Sequence, residues 1–87
     1  MTTNTAKEQL LEIALRIKEL REIMGFSVSQ MAEKTDVNEK QYLEFESGKF
    51  DIPFSFIHKC ALAFGVDMTD LLEGSSAKLT TYTVTRK

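Results

Sequence analysis

The chain has 87 residues, 43 % hydrophobic and 28 % charged, with a formal net charge of −2. That balance describes one small folded domain and excludes an intrinsically disordered chain. A lone cysteine, Cys60, excludes an internal disulfide and fits a reducing compartment. No run approaches the roughly 18 apolar residues of a membrane span, because residues 10–20 are broken by Glu12, Arg16, Lys18 and Glu19. The opening MTTNTAKEQ has no apolar core that could act as a secretory signal, so the expected location is cytoplasmic, with no membrane partner. One proline and four glycines favour helices over many turns.

Leu10, Ile13, Ile17, Leu20 and Met24 recur at alternating steps of three and four, which predicts a first helix over about residues 5–24 with one stripe facing a core. Leu11 and Leu15 lie on another side, one turn apart. The plainer reading is a broadened buried face; the sharper one is a contact surface for a second subunit or a neighbouring domain. Gly25 ends the helix, since a residue without Cβ sits easily in the left-handed conformation.

Residues 26–49, FSVSQMAEKTDVNEKQYLEFESGK, hold two helix starts of one design. Ser27 is followed by Gln30 three residues on, with Phe26 before and Met31 after. Asn38 is followed by Gln41, with Val37 before and Tyr42 after. Each short polar side chain can accept from an orphan amide of the first turn. The glutamine can reach back to the cap, and the flanking apolar pair can close as a staple. Two helices follow, over about 28–35 and 39–47, the first burying Met31, Ala32 and Val28 and the second Tyr42 and Phe45. Only Thr35-Asp36-Val37 separates them, so they must cross steeply, as a helix-turn-helix. Asp36 holds the turn position where a positive φ is required, and Ser47-Gly48 closes the third helix.

Pro53 fits the first turn of a fourth helix, which carries Phe54, Ile57, Ala61 and Phe64 on one stripe and stops at Gly65. Asp67 opens a short fifth helix, with Val66 stapled to Leu71 and Gly74 at its end. Phe54 fits the core, whereas Phe50, Ile52 and Phe56 flank the loop after the third helix and cannot all turn inward. They mark an interface, or else Phe50 and Ile52 fold under the loop as a satellite cluster. Beyond Ser75-Ser76 the run LTTYTVT over 79–85 alternates, with Tyr82 and Val84 on one face, and reads as a strand. A single strand leaves its backbone groups unpaired, so it must pair with a second copy, pack on the helices or begin a further β domain; the last is favoured.

Signs of catalysis are missing. His58 and Cys60 stand about 200° apart around the fourth helix and cannot share a metal. Cys60 reads as a core residue and His58 as a surface one. The carboxylates pair with basic residues at helical spacing, as in Glu12 and Arg16, which describes a solvated face. No glycine-rich phosphate loop, Ser-His-Asp set or metal spacing is present. No enzyme activity and no cofactor are expected.

Several of these positions recur together: Ile17, Leu20 and Arg21; Gly25-Phe26-Ser27; Met31-Ala32-Glu33-Lys34 and Val37; Phe45-Glu46-Ser47-Gly48-Lys49; ALAFGVD over 61–67 with Leu71-Leu72. In them, residues 13–72 resemble the helix-turn-helix domain of the phage repressor and Cro (XRE) family. The resemblance implies an all-α, five-helix phage-repressor-like DNA-binding domain over 13–74, its motif at about 28–47. Residues 75–87 would be a linker and a strand-like tail opening a β domain. That order resembles regulators in which a cupin barrel senses a small-molecule effector.

The implied function is sequence-specific transcriptional regulation on double-stranded DNA, as a homodimer, with the third helix in the major groove. By resemblance Asn38, Glu39, Lys40, Gln41 and Glu44 read bases: Lys40 suits guanine, Gln41 adenine, and Glu39 or Glu44 a cytosine amino group. Ser29, Ser47 and Lys49 would meet phosphates. Arg21 and Glu46 would form a structural ion pair that ties the recognition helix to the scaffold.

Three departures set this chain apart. Residues 27–49 carry Lys34, Lys40 and Lys49 against Glu33, Asp36, Glu39, Glu44 and Glu46, which forfeits much of the counterion-release affinity for duplex DNA. Val28 replaces a glutamine usual at the head of the second helix, and Leu43 stands where relatives often have a small polar residue facing the backbone. Dimerisation, basic surface elsewhere in a longer chain, or a turn to protein binding would each account for the acidity. The alternative function is therefore a helix-turn-helix used as a protein-interaction module without DNA binding.

Overall fold

Five helices make up residues 6–73, the part of the chain that the computed structural model describes. They are α1 (Ala6–Met24), α2 (Val28–Thr35), α3 (Glu39–Ser47), α4 (Phe54–Phe64) and α5 (Met68–Glu73). The predicted strand in 79–85, the linker before it, Gly74 and Thr5 lie outside the described residues. Among the described residues no helix is long and apolar enough to cross a membrane.

α1 lies along α3, α4 and α5, while α2 packs on α3 and α4, and α4 on α5. The core these contacts enclose is built on Ile17, Met31, Tyr42, Cys60 and Leu71, all fully buried. Each large apolar side chain taken out of water there contributes roughly 1.5–3 kcal/mol. Burial pushes the Cys60 thiol up to about 12.

The α1 stripe is observed with two changes. Ile13 and Ile17 are buried, Leu10 and Leu20 partly so, but Met24 is exposed. Phe26 closes that end of the core in its place. The chain reverses at Gly25 (φ +78), the Phe26 amide donates to the Arg21 carbonyl (3.0 Å), and the Phe26 ring stacks on Phe64 at 6.4 Å. Leu11 and Leu15 are also exposed, so the broadened buried face is not found. Ala14 is buried beside this stripe, where α1 meets the end of α3 closely: a Cβ on Gly48 would stand 3.3 Å from the Ala14 Cβ.

The phenylalanines around the start of α4 sort differently from the sequence reading. Phe56 is buried and Phe54 is 67 % exposed. The buried arc of α4 is Phe56, Ile57, Cys60, Ala61 and Phe64. On a helical projection Phe54 falls at its edge, roughly 80° from the centre, in a first turn that begins just after Pro53 (φ −62). Phe56 lies at the opposite edge but is met by two rings, Phe45 at 4.6 Å and Tyr42 at 5.7 Å. Ile52 folds inward while Phe50 stays half exposed.

α5 is held from the other end of the chain. Nη1 of Arg16 donates to the carbonyls of Leu71 (2.7 Å) and Leu72 (3.3 Å), while Nη2 reaches Glu12 at 3.4 Å. A cation thus satisfies two carbonyls at the C-terminal end of a short helix, where the dipole favours it.

Candidate nucleic-acid interface

Local chemistry sets the angle between α2 and α3. Ser27 caps α2 with a complete capping box: its Oγ accepts from the Gln30 amide (3.0 Å), and the Ser27 amide donates to Gln30 Oε1 (2.8 Å). Asp36 ends α2 in the left-handed region (φ 66), and the Val37 amide donates to the Ala32 carbonyl at 3.0 Å. Thr35, which the sequence reading left out of the core, is buried at this corner and donates to the Met31 carbonyl (2.6 Å). Asn38 then opens α3, its Oδ1 accepting from the Gln41 amide at 2.7 Å.

Here the two helix starts differ. The reciprocal bond from the Asn38 amide to Gln41 is absent among the described residues, so α3 has half a box. The Gln41 carboxamide stays outward and exposed.

The inward face of α3 is Tyr42, Phe45 and Glu46. Glu46 accepts Arg21 Nε at 2.9 Å and Nη2 at 3.3 Å, and the Tyr42 hydroxyl at 2.6 Å. Arg21 Nη1 also donates to the Phe26 carbonyl (3.1 Å), so one guanidinium joins α1, the turn before α2 and α3. The hydrogen bond to Glu46 raises the Arg21 pKa above its ordinary value. Burial, with the hydrogen bond to Glu46 next, raises the Tyr42 hydroxyl well above the tyrosine range. Arg21 and Glu46 thus satisfy one another's hydrogen-bonding groups in a partly buried setting. With α3 rolled this way, Lys40, Leu43, Glu44 and Ser47 face outward, and Glu39 and Gln41 flank them.

Asn38, Glu39, Lys40 and Gln41 are exposed and Glu44 half-buried, so the expected base readers reach solvent at the start of α3, with Lys40 and Glu44 on its outward face and Glu39 and Gln41 on opposite flanks. Ser29 is exposed in the first turn of α2, where the Val28 and Ser29 amides have no carbonyl within the helix to bond. Ser47 is exposed, but its hydroxyl donates to the Glu44 carbonyl (2.6 Å) and its oxygen accepts from the Lys49 amide (3.2 Å). It therefore offers a phosphate less than its position suggests. The Lys49 side chain is exposed beside it.

Three of the charges on the motif have partners within the fold. The Lys34 ammonium lies 4.7 Å over the Phe26 ring, and Asp36 is 3.7 Å from Lys59 of α4. Glu46 is neutralised internally by Arg21, which leaves Glu33, Glu39 and Glu44 against Lys34, Lys40 and Lys49, since a ring contact does not cancel the Lys34 charge. The acidic balance read from the sequence is thus smaller on the face itself than in the whole motif. Sequence reasoning missed that Tyr42 completes the Arg21–Glu46 cluster. The signal was its spacing four residues before Glu46, one turn along the same face.

Residues 15–76 match the family described as helix-turn-helix domain. This chain belongs to that family. The helix-turn-helix domain has a fold similar to that of the clp gene regulator ClgR from Corynebacterium glutamicum. The TM-score is 0.72 at 16 % sequence identity, over 87 % of this chain and 81 % of that one. No curated protein matches the chain.

Proposed function

We propose that this helix-turn-helix domain is a sequence-specific DNA-binding transcriptional regulator that lays α3 in the major groove and acts in the cytoplasm as a homodimer. The observation that carries the reading is the two-sidedness of α3. Tyr42, Phe45 and Glu46 fasten one face to the scaffold, and the other presents exposed polar side chains from Asn38 onward. A helix held this rigidly can present Lys40 to guanine and Gln41 to adenine without ordering costs at binding. The amides at the head of α2 suit a phosphate, with Ser29 and Lys49 beside them. The fold shared with a gene regulator supports this reading, as does the resemblance of residues 13–72 to phage repressor and Cro domains. Within it, residues 13–74 are the DNA-binding unit, and 75–87 lead to a β domain that would take a small-molecule effector.

The carboxylates on the motif favour a second reading, a protein-interaction module with no DNA binding. Fluorescence anisotropy with random duplex across a salt series separates the two. A DNA binder gives affinity that falls as salt rises. A module of the second kind shows no binding even at low salt.

A further inference from the structure

Leu43 has no part in the core. It is 50 % exposed on the outward face of α3, one turn after Lys40, one turn before Ser47 and next to Glu44. With Tyr42, Phe45 and Glu46 filling the inward face, it has no route in. A lone exposed leucine is ordinary on a protein surface; its location among the outward polar residues is what gives it weight. The electrostatics point the same way. With carboxylates matching lysines here, net phosphate neutralisation is smaller than on a basic face, and contacts on the floor of the groove carry a larger share of the affinity. On that floor the apolar feature is the C5-methyl group of thymine.

We propose that Leu43 is a specificity determinant that reads a pyrimidine C5-methyl, that of a thymine in the bound site. The inference rests on the DNA-binding reading of α3. Leucine has no donor or acceptor, so it distinguishes thymine by apolar contact with the methyl, and that contact is insensitive to salt. Lys40 and Gln41 in the preceding turn discriminate by hydrogen bonds, so the two kinds of reading are separable by experiment.

The test begins by selecting duplexes from a random library with the full chain. Each thymine of the selected site is then replaced by uracil, which keeps every hydrogen-bonding group and lacks the methyl. Affinities are measured by anisotropy for the natural chain, Leu43→Ala and Leu43→Gln. At one or two positions uracil should weaken the natural chain about four-fold, the value expected for one buried carbon, to the same extent at low and high salt. Both variants should bind thymine and uracil duplexes equally. Because the side chain is half in solvent, both should also keep the natural melting profile. Should the alanine variant fail to fold, the glutamine variant, of similar size, decides. Indifference of the natural chain to uracil at every position overturns the inference and leaves DNA binding by α3 standing, as does a thymine preference that survives in the variants. Recovery of no duplex at low salt overturns the DNA-binding reading and this inference together.

Discussion

Arg21 near the end of α1 and Glu46 near the end of α3 meet at two points, 2.9 and 3.3 Å apart, although 25 residues separate them in sequence. The pair fixes the roll of α3. Its start is set by the Asn38 cap and its middle by the rings of Tyr42 and Phe45 on Phe56. With these anchors in place, the helix can turn only one face outward.

The Glu46 side chain is 5 % exposed, so removing its partner leaves a carboxylate nearly buried with Tyr42 as its remaining donor. Arg21→Ala should destabilise the fold by about 3–5 kcal/mol, read from urea unfolding by circular dichroism. Replacing both ends, Arg21→Met with Glu46→Leu, should recover part of the loss. A double variant as unstable as the sum of the singles would contradict this.

Gly48 and Gly25 share a positive φ but not their surroundings. A Cβ on Gly48 would stand 2.8 Å from Leu11 Cδ2 and 3.2 Å from Leu11 Cα, whereas one on Gly25 would meet nothing within 4 Å. Alanine at Gly25 should cost roughly 1–2 kcal/mol for the left-handed backbone alone, and alanine at Gly48 clearly more, because α1 must also move. Equal shifts in the unfolding midpoint would show that α1 and α3 are not in close contact there.

Two of those anchors also predict behaviour in alkali. The Tyr42 hydroxyl ionises well above its ordinary value in the fold and near 10 when unfolded. Its contribution is therefore complete below pH 10 and lost as pH rises above it. Arg21, raised above its ordinary value by the hydrogen bond to Glu46, acts in the same direction at still higher pH. In a Tyr82→Phe background Tyr42 is the only tyrosine, and tyrosinate absorbance should rise together with the loss of helical dichroism. Tyrosinate forming near pH 10 with the helices intact would be the contrary result.

Cys60 is fully buried with its thiol pushed up to about 12. At pH 8 a disulfide reagent should label it slowly in buffer and fully in denaturant, with a rate that follows unfolding. Immediate stoichiometric labelling of the native protein would place the thiol outside the core.

Lys40→Ala and Gln41→Ala remove exposed side chains that are not part of the core. Each should leave stability within about 0.5 kcal/mol while changing which duplexes are preferred. Equal loss on every sequence would mean that they meet phosphate and not base edges.

Much of this arrangement was legible in the sequence, because it is written in local chemistry. Ser27 with Gln30, Asp36, Asn38, Gly48 and Gly65 mark helix ends through backbone geometry that few other residues satisfy. Side chains whose environment depends on distant elements were harder to read. Phe54 and Phe56 are chemically alike, and only the rings of Phe45 and Tyr42 across the core decide which one is buried. The stripe on α1 has no internal mark showing that Phe26 replaces Met24 at its end. The link from Arg16 to the carbonyls of Leu71 and Leu72, more than fifty residues apart in sequence, leaves no trace in spacing. At the candidate site, exposure of Asn38, Glu39, Lys40 and Gln41 followed from helical period and the cap. The inward hydrogen bond of the Ser47 hydroxyl did not, since a serine near a helix end serves backbone and ligand equally well.

The most direct measurement of where DNA would lie is an amide NMR titration of the labelled chain with a selected duplex at low salt. The expected result is that signals of residues 38–44 and of Val28 and Ser29 shift or broaden first, while those of Ile17, Cys60 and Leu71 in the core hold still. Changes confined to other surfaces, or none at duplex excess, would contradict the assignment of α3 to the major groove.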